Sequence, residues 1–229
     1  MNALDTFDSA IKADEKNGQA YAWKACALGQ GLFRGYIEED FNVVWKQAED
    51  NLKKARELNE NDFEVHRLMS EVTLAMKDFR AAQRHSKLAY DMVPNDPRVL
   101  SVYGDVCVRT GKVDEGVDAL KLALDLDPIP QGKTNADPRH AGLLFAYYMS
   151  RDKDGCLEQI GHLDEIDVRS WLITTKICSD EEHDYENLDW FKEGKKLFAD
   201  KDWGKVVPDF RLNNDSASEA LIEFCKELF

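Results

Sequence analysis

The sequence predicts an all-α protein: an α-solenoid of antiparallel helix pairs stacked in a right-handed superhelix, with a C-terminal helical cap. Within 63–128 a pattern of small, large and proline positions recurs at a spacing of 34 residues. Apolar residues inside each unit follow the period of about 3.6 that an amphipathic helix needs. A fixed period of this length is typical of helix-turn-helix repeat arrays. The matched positions are Pro94 and Pro128, Ala89 and Ala123, Ser70 and Gly104, Ala82 and Gly116, and Phe79 and Val113.

Composition limits the class of partner. The 229 residues carry a net charge of -14, so the chain repels phosphate backbones, and we expect no nucleic-acid partner. No apolar run approaches the roughly 18 residues of a membrane span, and the N-terminus lacks a signal-peptide pattern. Five cysteines without a CxxC pair suit a reducing compartment. We therefore expect a cytoplasmic protein with no membrane partner.

Turn residues and breaks in the period divide the chain into a repeat array, 1–163, and a C-terminal helical extension and cap, 164–229. The array comprises a half repeat (1–16), a repeat with an insert (17–61), two regular repeats (62–96 and 97–131) and a divergent repeat (137–163).

The half repeat has only a second helix, with Ala3, Phe7 and Ala10 on its apolar face. A second helix without its partner leaves that face open. We expect the chain to be cut from a longer protein. Either a neighbouring domain of that protein covers this face, or a second copy of the chain covers it by self-association.

About eleven residues, around 31–39, interrupt the second unit relative to the 34-residue frame. The insert contains two glycines, Phe33 and Tyr36. It predicts either a longer helix pair with a wider turn or a protruding loop available to a partner. In the C-terminal extension, Ser216 and Glu219 have the spacing of a capping box that opens a final amphipathic helix.

The repeat positions resemble those of the tetratricopeptide repeat (TPR) family over about 2–163. The order of units resembles the C-terminal TPR domain of bacterial class III adenylate cyclases and related modular regulators. The sequence departs from the family at His66, which replaces the large first position, and at Lys24, which replaces an expected leucine. The resemblance implies a TPR-like superhelix whose function is to bind proteins.

No motif for catalysis or a cofactor is complete. Gly132, Lys133 and Thr134 copy the tail of a phosphate-binding loop, but its first glycine is replaced by Asp127 and no strand precedes it. The five histidines lack zinc-site spacing, and His66 falls on an inward helix position where packing is expected. We expect no catalytic residues, no metal and no cofactor.

In the TPR family the first helix of each unit lines the concave face, where ligand peptides lie. Arginines alternate there with acids and are flanked by aromatics. This pattern favours an internal protein or peptide segment, or a neighbouring domain, over a free C-terminal carboxylate. The residues that the resemblance places on this face are Trp23, Arg67, Glu71, Arg98, Asp105, Arg109, Phe145 and Tyr148.

Two functions from different classes remain. The first is a non-enzymatic protein-protein interaction scaffold, serving as the TPR module of a larger bacterial signalling or regulatory protein. The second is an enzyme or ligand-binding protein whose site lies in the C-terminal third, around 180–209. A pocket with convergent buried polar groups in 164–229 would favour the second.

Overall fold

The computed structural model of the chain describes residues 3–33, 35–130, 132–181 and 183–229. These residues form thirteen α-helices, one 3-10 helix and no strand. In chain order the helices are α1 (Ala3–Ala13), α2 (Gly18–Phe33), α3 (Phe41–Leu58), α4 (Phe63–Ala75), α5 (Phe79–Met92), α6 (Pro97–Arg109), α7 (Val113–Leu126), α8 (Asp137–Ser150), α9 (Lys153–Ile160), α10 (Val168–Asp180), α11 (Asp189–Leu197), α12 (Trp203–Val206), the 3-10 helix η1 (Val207–Phe210) and α13 (Asp215–Leu228). The predicted all-α solenoid of helix pairs is confirmed.

The chain forms two compact units, Met1–Pro94 and Asn95–Phe229. The first, here called unit 1, holds α1 to α5, and unit 2 holds α6 to α13. The boundary falls between the two regular repeats. The division into a repeat array and a cap at residue 163 stays a prediction.

Most helices begin at an aspartate or asparagine whose side chain accepts hydrogen bonds from the backbone N–H groups of the first turn, which have no partner inside the helix. These caps are Asp40, Asp62, Asp78, Asp96, Asp152, Asp167 and Asn214. The capping box predicted at Ser216 and Glu219 is wrong. Helix α13 begins earlier, and Asn214 Oδ1 accepts from Ser216 N at 2.9 Å.

Small residues bring the paired helices into backbone contact at the same place in successive units. In unit 1, Ser70 Oγ donates to the carbonyl oxygen of Ala82 at 3.0 Å. In unit 2, a Cβ added to Gly104 would lie 2.9 Å from the carbonyl oxygen of Gly116. The 34-residue period joins these two pairs, so the repeat encodes the crossing of the helices as well as their spacing.

The two alternatives predicted for the insert, a longer helix pair and a loop, are each present in part. Helices α2 and α3 have 16 and 18 residues, against 13 and 14 in α4 and α5, so the pair is longer. A connection also remains over 35–40. Helix α1 has no buried residue, although Leu4 packs against the core of unit 1. The prediction that another chain or domain covers α1 stays open.

The C-terminal third is helical and packs around Trp171, which is fully buried in α10. Its ring centroid lies 5.8 Å from that of Phe191, 5.6 Å from Phe198 and 6.3 Å from Trp203. Within the described ranges, no helix has both the length and the apolar composition that crossing a bilayer requires.

Candidate functional site

The predicted groove residues lie in both units. Trp23, Arg67 and Glu71 are together in unit 1, whereas Asp105, Arg109 and Phe145 are together in unit 2. Arg98 and Tyr148, also in unit 2, stand apart from the second group.

In unit 1, Arg67 is buried and its charge is already matched. Its Nη2 lies 2.8 Å from Glu64 Oε1 and its Nη1 lies 2.5 Å from Glu71 Oε1. The guanidinium carbon also lies 5.4 Å from the ring centroid of Trp23, which is 37% exposed. Because two carboxylates of its own helix hold it, Arg67 contributes structure to α4 more than a cation for a ligand.

In unit 2, Arg109 joins α6 to the chain after α12. Its Nε lies 3.0 Å from both carboxylate oxygens of Asp105. Its Nη1 donates to the carbonyl oxygens of Phe210 and Arg211, the latter at 2.7 Å. Arg109 is only 4% exposed. The guanidinium of Arg109 therefore fixes the chain at two successive main-chain carbonyls, and the buried side chains of Phe210 and Leu212 lie beside them.

A second arginine approaches from α10. The ring of Phe145 in α8 has the guanidinium carbon of Arg109 at 4.5 Å from its centroid and that of Arg169 at 5.2 Å. Such distances are within the range of cation-π contacts. We call Arg109, Arg169 and Arg211 the arginine cluster.

The cluster concentrates like charge. Burial lowers the pKa of Arg169, and the charge of Arg109 lowers it further. Burial likewise lowers the pKa of Arg211, again helped by Arg109. Arginine stays protonated all the same, because its ordinary pKa exceeds 12. The three guanidiniums therefore lie within electrostatic reach of one another, and Asp105, Asp167 and Asp209 offset part of their charge.

Arg169 is the member of the cluster most available to a ligand. It is half-buried, and among the described residues its guanidinium has no hydrogen-bond acceptor and no carboxylate at ion-pair distance. A ligand carboxylate could make the paired hydrogen bonds that a guanidinium fork favours.

The two remaining predicted residues have other surroundings. Arg98 Nη2 lies 2.7 Å from Oδ2 of Asp96, the N-cap of its own helix. Tyr148 is half-buried, and burial raises its pKa to about 12.

Sequence reasoning missed Arg169 and Arg211 because both follow the residues assigned to repeats. One signal could have found Arg169: an Asp-x-Arg pattern opens α6, α8 and α10, as Asp96 to Arg98, Asp137 to Arg139 and Asp167 to Arg169. The pattern continues the series of first helices beyond residue 163. No comparable signal marks Arg211, which follows a 3-10 helix and has a left-handed φ of 55°.

A histidine pair in unit 1 forms a chain of hydrogen bonds. His66 Nε2 lies 2.8 Å from the carbonyl oxygen of Glu60, which can only accept, so this nitrogen carries the proton. His66 Nδ1 then accepts from His85 Nδ1 at 2.9 Å, and His85 Nε2 accepts from Arg84 Nη2 at 3.2 Å. Both rings are buried and neutral in this arrangement, so the predicted packing role of His66 is confirmed.

Acid should weaken unit 1 through this pair. Burial lowers the pKa of His85 to about 4, from an unperturbed 6.5. Arg84, the titratable ring of His66 and Arg56 lower it further, whereas Asp78 raises it. Because the folded pKa is the lower one, the stabilisation is complete above pH 6.5 and is lost as the pH falls towards 4. We expect a loss of about 1–3 kcal/mol at pH 4.

The variant His85→Gln tests this, since glutamine keeps a donor and an acceptor but does not titrate. Urea midpoints at pH 7 and pH 4.5 should differ less for the variant than for the parent chain. His162→Gln, at an exposed histidine, is the control and should behave as the parent does. An unchanged pH dependence in His85→Gln would contradict the assignment.

The described residues do not form a cysteine nucleophile site or a metal site. All five cysteines are buried. Burial raises the pKa of Cys26 to about 12 and that of Cys178 to about 11, which disfavours a thiolate nucleophile. No group of three metal-ligating side chains occurs in the described part of the chain.

In the C-terminal third, a surface depression of about 450 Å³ is lined by exposed charged side chains and one buried ring. Its lining residues are Glu186, Phe191, Lys192, Lys195 and Lys196. None of them is a buried polar group, so this depression does not support the enzyme alternative.

The comparisons with known proteins inform the fold alone. The sequence matches no protein family and no curated protein. A structure from a functional characterisation of Pseudomonas aeruginosa PilF aligns with a TM-score of 0.61 at 14% identity, over 85% of this chain and 82% of that chain. A structure of Naa15/Naa10 bound to HypK-THB aligns with a TM-score of 0.43 at 14% identity, over 92% of this chain and 33% of that chain. The helix pairs and the likeness to PilF support a TPR-like helical-repeat fold.

Proposed function

We propose that the protein is a non-enzymatic interaction scaffold that binds an acidic segment of a partner protein at the arginine cluster of unit 2. The observation that carries the proposal is Arg169, whose guanidinium lies over Phe145 with no carboxylate at ion-pair distance among the described residues. We propose further that the scaffold works in the cytoplasm as part of a larger bacterial regulator. That placement rests on the resemblance in the order of units.

The chemistry of the partner follows from the surroundings of Phe145. The guanidiniums of Arg169 and Arg211 favour carboxylates, and the flat, weakly hydrated face of a guanidinium also favours an aromatic side chain. Phe145 itself is only 1% exposed and supports the guanidiniums from within the core. The partner segment therefore carries Asp or Glu next to an aromatic residue. Arg109 is already bound to Asp105, so a carboxylate of the ligand pairs with the guanidiniums of Arg169 and Arg211.

Unit 1 contributes less to partner binding than the repeat positions of its residues predict. Arg67 is enclosed by Glu64 and Glu71, and reversing its charge would place three carboxylates together in a buried position. The exposed Trp23 remains available as an aromatic contact. We propose it as a secondary anchor.

The test is selection of binding peptides from a library of random linear peptides displayed against the full chain. We expect the selected peptides to be rich in Asp and Glu beside an aromatic residue. Their affinity should fall about tenfold or more, or 1.4 kcal/mol, in the variant Arg169→Gln. Arg80→Gln, at an exposed arginine of unit 1, is the matched control and should bind as the parent does.

Two results would contradict the proposal. One is selection of peptides without acidic residues. The other is equal binding of the selected peptides to the parent and to Arg169→Gln. Thermal melting of both variants checks that the fold is kept, since Arg169 makes no side-chain hydrogen bond in the described structure.

A further inference from the structure

The connection that precedes α3, over 35–40, and the first turn of α3 form a segment that exposes apolar surface. Tyr36 is 77% exposed, Phe41 51% and Val43 53%. Large apolar side chains exposed close together on a monomer mark an interaction surface more often than a lone exposed leucine does. The segment lies outside the arginine cluster and belongs to unit 1.

The segment is held at both ends. The backbone N–H of Tyr36 donates to the carbonyl oxygen of Gly31 at 2.8 Å. Ile37 folds back on Gly31 so closely that a Cβ there would lie 2.6 Å from its Cδ1. At the other end, Asp40 caps α3 by accepting from Asn42 N at 3.0 Å. Because the backbone is fixed in this way, binding a partner costs little ordering of the loop.

A cleft of about 570 Å³ opens beside the exposed tyrosine. Its apolar walls are Leu4 of α1, Leu28 of α2, Ile37 and Val44. The volume is in the range of about 300–1,000 Å³ that is usual for ligand sites. It could receive one apolar side chain of a partner.

The charged residues among the described lining of the cleft all have one sign. Glu38 and Glu39 line it, and no lysine or arginine is among the lining residues that the structure describes. The nearest cation along α3, Lys46, lies 2.9 Å from Asp50 and is thereby paired. In sequence, 34–40 holds three carboxylates and one arginine. An anionic membrane or a nucleic acid would be repelled here, whereas a basic segment would be attracted.

We propose that this cleft binds a basic protein segment, in which an aromatic or aliphatic anchor fills the space between Leu4, Leu28 and Val44 while flanking lysines or arginines pair with Glu38 and Glu39. The exposed ring of Tyr36 covers the anchor and also faces the flanking cations. The net charge of -14 draws such a segment towards the chain from a distance. The site differs from the arginine cluster in unit, in charge and in partner.

The probe is a fluorescent synthetic peptide in which a tryptophan and two leucines are flanked by lysines, titrated with the full chain at physiological salt. Two further peptides serve as controls: one has glutamate in place of lysine, and the other has serine in place of tryptophan and leucine. We expect binding of the first peptide only. Equal binding of the serine peptide would overturn the proposal, because charge alone would then explain the attraction.

Charge reversal locates the site. Glu38→Lys with Glu39→Lys should weaken binding of the lysine peptide at least tenfold. Asp184→Lys with Glu186→Lys is the matched control: it changes the charge equally at two exposed acids beside another tyrosine, and it should stay within twofold of the parent. Tyr36→Ser, at an exposed side chain, should also weaken binding and should leave the melting temperature unchanged.

Equal losses in the two double variants would overturn the proposal, and so would an absence of binding to the parent chain. Sedimentation of the chain without peptide tests whether a second copy of the chain occupies the cleft instead. If mass doubles with concentration and Tyr36→Ser prevents it, the surface is an interface between copies and the proposal is wrong. None of these results depends on Arg169, so the proposed function stands or falls by its own test.

Discussion

Replacing Gly104 by alanine is expected to destabilise unit 2, although alanine is the better helix former. The added Cβ would lie 2.9 Å from the carbonyl oxygen of Gly116 and 2.7 Å from Cγ of Leu120. A backbone oxygen cannot move aside without shifting α7, so overpacking should cost about 1–3 kcal/mol. Helix propensity alone predicts a gain of about 1 kcal/mol. The two effects have opposite signs, which makes the urea midpoint decisive.

Gly142→Ala is the matched control, because it lies in the middle of α8 and its added Cβ also faces Leu120. There the nearest atom, Leu120 Cδ2, is 3.6 Å away, which is an ordinary contact. We expect this variant to be as stable as the parent or more stable by about 0.5–1 kcal/mol. A gain in stability at both glycines would contradict the backbone contact between α6 and α7.

Removing the ring of Trp171 should have the largest effect of any single truncation. The side chain is fully buried, and its Nε1 donates to the carbonyl oxygen of Phe191 at 3.2 Å. Helix α11 crosses it at Gly194, where a Cβ would lie 2.1 Å from the ring. Truncating a buried aromatic to alanine typically costs about 3–5 kcal/mol, and Trp171→Ala should lie in that range.

Trp190→Ala provides the comparison, since Trp190 is half-buried and meets Phe191 edge to face at 6.1 Å. Its cost should stay under about 2 kcal/mol. Chemical unfolding followed by circular dichroism measures both variants. Similar costs for the two tryptophans would mean that the C-terminal third is not organised around Trp171.

The fold was predictable because the small residues that recur every 34 positions are those at which the paired helices cross. Ser70 and Ala82 recur as Gly104 and Gly116, and these are the residues at which the paired helices touch. Helix starts were less predictable, since several residues in one turn can cap. At the last helix Asn214 does so and Ser216 does not.

The candidate site was predictable only in part. Counting along first helices finds Asp105, Arg109 and Phe145, which the structure brings together. It cannot show that Arg67 is enclosed by two acids, because pairing depends on side-chain conformation. It also cannot place Arg211 beside Arg109, since the contact spans 102 residues and no period relates the two.

The most direct test of the central claim is a double-mutant cycle between Arg169 and one glutamate of a selected acidic peptide. Affinities are measured for the parent and for Arg169→Gln, each with the peptide and with its glutamine counterpart. We predict a coupling energy of about 1 kcal/mol or more, within the range found for residues in contact. Coupling indistinguishable from zero for every acidic residue of the peptide would contradict binding at the arginine cluster.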